Sequence, residues 1–248
     1  MVTLSKKQSV QEEEYNFPYH YLNLLSPFQD IEYVSYLKIV KKLLLLKGER
    51  ILDFGCGDGR FEYELKNENC KLAGLDYSNK AIAFARAFNF GSKNTTFYPL
   101  KLKYFKPKKK FDYVVSIETL EHIPTSELSE VIAILKNLLR KGGRLIITVP
   151  SKNVPLSDKH YQHFNEKDVR SLFSDDFTVE KIIGHHKKSS VYVLFRILNV
   201  MGRIFETVLP QNLSSVYGRF LWKFYKSEFE FCSPSKARRL IVVSRKIR

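Results

Sequence analysis

The chain has 248 residues, 44% of them hydrophobic, enough for one large domain, or one domain carrying an elaboration, around a substantial core. Its formal net charge of +15, from 41 Lys and Arg against 26 Asp and Glu, predicts attraction to anions, whether nucleic acid, anionic lipid or a phosphorylated small molecule. Cys56, Cys70 and Cys232 lack paired spacing, which excludes a disulfide framework and a thiolate zinc site, and no apolar run approaches the roughly 20 residues of a membrane span. Met1 to Lys7 lacks a signal-peptide core, so a cytoplasmic protein is expected.

Residues 1–27 are polar, then aromatic, with Tyr15, Phe17, Tyr19, His20 and Tyr21 around Pro18, where no regular helix can continue. This arm reads either as a lid over a ligand or as a segment packed on the surface. From Phe28 to Leu46 the residues Ile31, Val34, Leu37, Ile39, Val40, Leu43 and Leu44 recur at helical spacing, which predicts a leading helix against a sheet. Strands are then expected at 50–54, 71–75, 95–99, 111–116 and 144–149, and helices at 59–66, 79–89, 126–140 and 166–173. Such alternation predicts an α/β fold with a doubly wound, mostly parallel sheet. Phe177 to Ile183 reads as a sixth strand and Leu240 to Arg245 as a seventh.

The organisation expected is therefore an arm (1–27), a core (28–183 and 239–248) and a helical insert (184–238). In the insert Leu194, Ile197, Leu198, Met201, Ile204, Phe205 and Val208 form one helical stripe, with Arg196 and Arg203 off it. The stripe is expected to pack on the core as a substrate cap. An apolar, basic and aromatic helix also suits an anionic membrane surface, which would place the protein there peripherally. The runs Lys106 to Lys110 and His185 to Lys188 read as solvated loops.

Ile51 to Gly59, ILDFGCGDG, places Gly55, Gly57 and Gly59 between a strand and a helix, where the backbone can turn sharply and approach a ligand. The second strand ends in Asp76, the position at which such folds hold paired ribose hydroxyls. A nucleoside cofactor is implied. The G-x-G-x-G spacing after Asp53 departs from the dinucleotide fingerprint and resembles motif I of the class I S-adenosylmethionine-dependent methyltransferases. FDYVVSIETLEHIP at 111–124 and LLRKGGRLIITVP at 138–150 are similar to that family's fourth and fifth strands.

The resemblance implies a Rossmann-like sheet of seven strands, the last antiparallel beside the sixth, and S-adenosyl-L-methionine as cofactor. It places Gly55, Cys56, Gly57 and Gly59 at the methionine half, with Asp53 at its edge, Asp76 on the ribose and Tyr77 against the adenine. The carboxylate that many relatives use for the adenine amine has no counterpart in 98–105. Ser116 and Glu118, at the tip of the fourth strand, complete the cofactor set and border the transferred methyl.

Methyl transfer from a sulfonium is an in-line displacement, so positioning comes first and a base second. Glu121, His122, His160 and His163 are the catalytic candidates, with His160 or His163 as proton acceptor. The alternative is a divalent metal on Glu118, Glu121, His122 and His160 or His163, since carboxylates and imidazoles suit magnesium, manganese or zinc. E-x-x-E-H resembles both the metal-dependent enzymes that methylate the terminal 2′-hydroxyl of small RNAs and the ubiquinone-biosynthesis O-methyltransferases. The expected activity is methylation of oxygen or nitrogen in a small molecule such as a sugar, a quinone or lipid precursor, or a secondary metabolite. RNA methylation and a catalytically silent binding partner are the alternatives; no RNP-type motif accompanies the basic charge.

Overall fold

The computed structural model describes residues 6–26, 28–173, 177–208 and 210–247. Residues 1–5 and 27 of the arm, 174–176 and 248 of the core, and 209 of the insert lie outside the described residues. The first helix, α1 (Lys6–Glu14), is followed by a single helical turn, α2 (Leu22–Leu25), and by α3 (Ile31–Leu43). The α/β core then runs β1 (Lys47–Phe54), α4 (Arg60–Leu65), β2 (Asn69–Asp76), α5 (Asn79–Phe88), β3 (Thr95–Pro99), β4 (Phe111–Ile117), α6 (Leu128–Leu138), β5 (Leu139–Pro150) and α7 (Glu166–Phe173). After it come β6 (Phe177–Lys187), α8 (Val191–Val208), α9 (Gln211–Glu228), β7 (Phe231–Cys232) and β8 (Ala237–Lys246).

The strands form one sheet in the order β3-β2-β1-β4-β5-β8-β6-β7. The pairs from β3 through β5 are parallel, and β8 runs antiparallel between β5 and β6. Central strands are covered on both faces, so they read as unbroken apolar runs such as Tyr113–Val115 and Leu145–Ile147. One face packs on α6 and α7 through Leu135 and Val169, and the other on α3 and α4 through Val40 and Leu65.

The fold class is the expected one, with differences at its last edge. The described residues form eight strands, because Phe231–Cys232 pairs with Gly184 and His185 of β6. β6 therefore continues to Lys187, and His185 and His186 are fully buried against Tyr225 instead of lying in a solvated loop. The lysines of 106–110 are exposed, as expected of such a run.

Within the expected insert, whose ends at 184–187 and 237–238 belong to β6 and β8, α8 and α9 form an antiparallel helical hairpin: the Tyr217 hydroxyl of α9 donates to the Leu198 carbonyl of α8 at 2.8 Å, and Phe205 meets Tyr217 edge-on. It packs on Phe28 and Ile31 through Phe195, Leu221, Tyr225 and Phe229. The apolar stripe of α8 does not cover the core. Ile197 and Ile204 are 54% and 56% exposed, whereas Phe195 and Gly202, on the opposite face, are buried. The physical reason is Gly202: a Cβ there would stand 2.6 Å from the Phe28 ring, so the helix lies down on its smallest residue.

Candidate functional site

A cleft of about 490 Å³ opens at the carboxyl ends of β1, β2 and β4, where strand order reverses and open α/β sheets place ligands. The amides of Gly55 and Cys56 both donate to the Leu75 carbonyl, at 2.8 and 3.2 Å, which folds the glycine turn back over β2. Gly57, at φ +53°, has no room for a side chain: a Cβ would stand 2.6 Å from the Tyr15 hydroxyl. Asp76 accepts from the Gly57 amide at 3.0 Å and from the Ser78 amide at 2.9 Å. Each carboxylate oxygen retains a lone pair for a hydroxyl donor. Burial pushes the Asp76 pKa up to about 6, although backbone donors resist the shift.

The cleft floor is acidic within a basic protein. Asp53 is buried with Oδ1 unpartnered, and burial, then the nearby Asp76, raises its pKa. Glu62, behind the turn, is also buried and held well above the usual carboxylate range by burial and by Asp53. Such a floor suits a ligand carrying positive charge. S-adenosylmethionine, with an ammonium and a sulfonium, fits that donor set, and Asp53 and Asp76 are the residues that would hold it.

The opposite wall is built from the turn after β4 and the loop before α7. The Tyr161 amide donates to the Glu121 carbonyl at 2.8 Å, which joins the two segments. Glu121, His122 and His160 meet there, with ligand-capable atoms all within 4.8 Å of one another. Glu121 is buried and held well above the usual carboxylate range by burial and by Glu118, whereas burial and Lys159 lower His122 to about 4. Burial and His122 lower His160 to about 3, which leaves both imidazoles neutral near pH 7.

The tautomers follow from the partners. His163 Nδ1 lies 3.2 Å from the Val154 carbonyl, which can only accept, so a neutral His163 carries its proton on Nδ1. Its Nε2 then accepts from His160 Nδ1 at 2.8 Å. The unprotonated nitrogen of His160 is therefore Nε2, available as a base or as a ligand.

The cleft brings together Asp53, Gly55, Cys56, Gly57, Asp76, Tyr77, Glu118, Glu121, His122 and His160. Gly59, Ser116 and His163 are not on its lining. Gly59 caps α4 against Ala85, the Ser116 side chain is buried within β4, and His163 faces a separate depression of about 870 Å³ beside α6 and α7. The expected metal set narrows: Glu118, at φ +49°, accepts from the Thr148 hydroxyl at 2.8 Å and pairs with Arg239 at 2.8 Å and so leaves the cluster, and of the two histidines expected as alternatives it is His160, not His163, that joins Glu121 and His122.

No described residue of 184–238 lines the cleft; it is the arm that does so, through Gln8, Gln11, Glu14, Tyr15, Tyr19 and His20. His20 lies 3.0 Å from Asp58, Lys159 binds Glu14 at 2.8 Å, and the Tyr77 hydroxyl donates to Gln11 at 3.4 Å. Arg239 and the arm residues carried no local motif. Tyr15 and Tyr19 were visible only as aromatic crowding around Pro18.

A family model described as a methyltransferase domain matches residues 29–179, ending within β6. A ubiquinone biosynthesis O-methyltransferase of Aromatoleum aromaticum is 30% identical over 111 residues, which cover 44% of this chain and 47% of that protein. One from Glaesserella parasuis is 25% identical over 167 residues, covering 57% and 70%. The chain spans about half the length of the first relatives it matches, 47% and 51%. Among solved structures, the N-methyltransferase NodS of Bradyrhizobium japonicum with S-adenosyl-L-homocysteine superposes with a TM-score of 0.67 at 15% identity, covering 98% of this chain and 100% of that one. The magnesium protoporphyrin IX methyltransferase of Synechocystis gives 0.58 at 18% identity, covering 97% and 99%.

Proposed function

The chain belongs to the methyltransferase domain family, and on that premise we propose that it transfers the methyl group of S-adenosylmethionine to an oxygen or nitrogen of a small molecule. The observation that carries this reading is the single cleft in which the Gly57–Asp76 cradle faces His160, an imidazole with its lone pair on Nε2. The cofactor, when bound, supplies a sulfonium-activated methyl. Asp76 would accept from the ribose hydroxyls, Asp53 would offset positive charge at the methionine end, and Tyr77 would flank the base. The aromatic wall of Tyr15, Tyr19, Tyr33 and Tyr36 supports a planar acceptor, as does the likeness to the ubiquinone biosynthesis O-methyltransferases. His160 Nε2 would take the proton of an acceptor hydroxyl, with His163 orienting its ring. The arm excludes water from the cradle.

A second reading is favoured by one observation, the meeting of Glu121, His122 and His160 within 4.8 Å. Glu121 Oε2 and His122 Nδ1 have no hydrogen-bond partner, and a carboxylate with two neutral imidazoles fits zinc or manganese. The two readings compete for the same lone pair of His160. Calorimetric titration of S-adenosylmethionine, with and without zinc or manganese, separates them. Cofactor binding without metal, weakened by about 1.5–3 kcal/mol in Asp76→Ala, supports the site. Turnover lost in His160→Ala with no metal bound by the wild type supports the base; zinc binding abolished in His160→Ala supports the metal. No cofactor binding at millimolar concentration overturns the enzyme reading.

A further inference from the structure

We propose that the α8–α9 hairpin is a docking surface for an anionic lipid bilayer and lies in the plane of its interface. The inference is independent of the methyl-transfer reading, because the methyltransferase domain match ends at residue 179.

The helix α8 is held by the face that carries Phe195 and Gly202. The face turned away from this contact is apolar: Val193, Leu194, Ile197, Val200, Met201, Ile204 and Val208 are 39–68% exposed. At about 100° per residue these seven fall in an arc of roughly 120°, centred opposite the buried pair. A helix with its apolar side toward solvent has inverted the usual economy of a globular protein, and a patch of that extent marks an interaction surface. On α9, Leu213, Val216 and Phe220 are exposed as well, at 51–54%.

Charge selects the occupant. Arg196 and Arg203 run along one flank of the α8 stripe, two turns apart and both exposed. Arg219, Lys223 and Lys226 are exposed on α9, so the hairpin carries five basic residues against two acidic ones, Glu206 and Glu228. Apolar side chains between arginine and lysine stems match the acyl boundary and headgroups of an anionic leaflet. A second copy of the same surface would set like charges face to face. No helix among the described residues is long and apolar enough to cross a membrane, which leaves the interfacial mode.

The test is co-sedimentation of the purified protein with phosphatidylcholine vesicles, with and without phosphatidylglycerol, at low and high salt, alongside light scattering for oligomeric state. Two double variants are compared: Ile197→Glu with Ile204→Glu on the stripe, and Arg196→Gln with Arg203→Gln on its flank. Circular dichroism confirms that both fold, and cofactor titration shows whether the remote cleft is intact. The proposal expects a preference for phosphatidylglycerol vesicles that salt weakens, a loss of at least about tenfold in the isoleucine variant, and about fivefold per arginine in the other. It is overturned by a wild type that binds neither vesicle or both equally, by unchanged binding in the isoleucine variant, or by a wild-type dimer that the same variant makes monomeric.

Discussion

Asp76 holds the ribose in the proposed site, and its environment fixes a pH dependence. Burial moves it from 3.8 to about 6 in the folded protein. A protonated carboxyl accepts ribose hydroxyls poorly, so affinity for S-adenosylhomocysteine should be full above about 6 and decline as pH falls through that value. Stability runs the other way. The native state retains the proton between 3.8 and about 6, so this group's contribution is fully present below 3.8 and lost as pH rises through about 6. Titration calorimetry from acid to neutral pH should show the decline in the wild type, and weak, flat binding in Asp76→Asn. Gly59 makes a contrasting prediction, because it faces α5 and not the cleft. At φ +76°, with the Ala85 Cα 2.9 Å from where a Cβ would stand, Gly59→Ala should cost ~1–3 kcal/mol in urea unfolding, with the main effect on stability instead of affinity. The acids and glycines of the turn were legible in the sequence because strand, turn and helix are contiguous. Arg239 was not, since it reaches Glu118 from a strand more than 100 residues away.

Among the elements, the arm and the hairpin are where local pattern and tertiary placement part. A helical stripe reveals the direction of the apolar face and leaves open which side a neighbour will take. The contact between Gly202 and Phe28, long-range and steric, decided that for α8. The arm has no periodicity to read, yet Tyr15 is 6% exposed and closes over Gly57. Tyr15→Ala should raise the release rate of S-adenosylhomocysteine by about tenfold or more, the effect of removing a buried aromatic seal, as read by stopped-flow displacement. A Lys159→Ala change, which removes a partly exposed ion pair to Glu14, should change release far less. Equal effects of the two changes would assign closure to charge instead of packing.

For the whole molecule, composition predicts a basic protein, and the structure separates its charges. Part of the excess lies outside, on the 106–110 loop and the hairpin, while Asp53, Asp58, Glu62 and Asp76 gather beneath the cleft. The fold class was legible because strand and helix alternate in sequence as they do in space, and the last strand was expected antiparallel beside the sixth, where β8 wedges between β5 and β6; the outermost edge was less legible, because β7 is two residues long and reaches β6 only from beyond the hairpin. That wedge has a consequence for biosynthesis. As the nascent chain emerges, β6 and the whole hairpin appear before the strand that will connect them to β5. Until residues 237–246 arrive, β5 carries an unpaired edge beside an already apolar surface, the form in which a half-made protein is most open to misassociation and to chaperone capture.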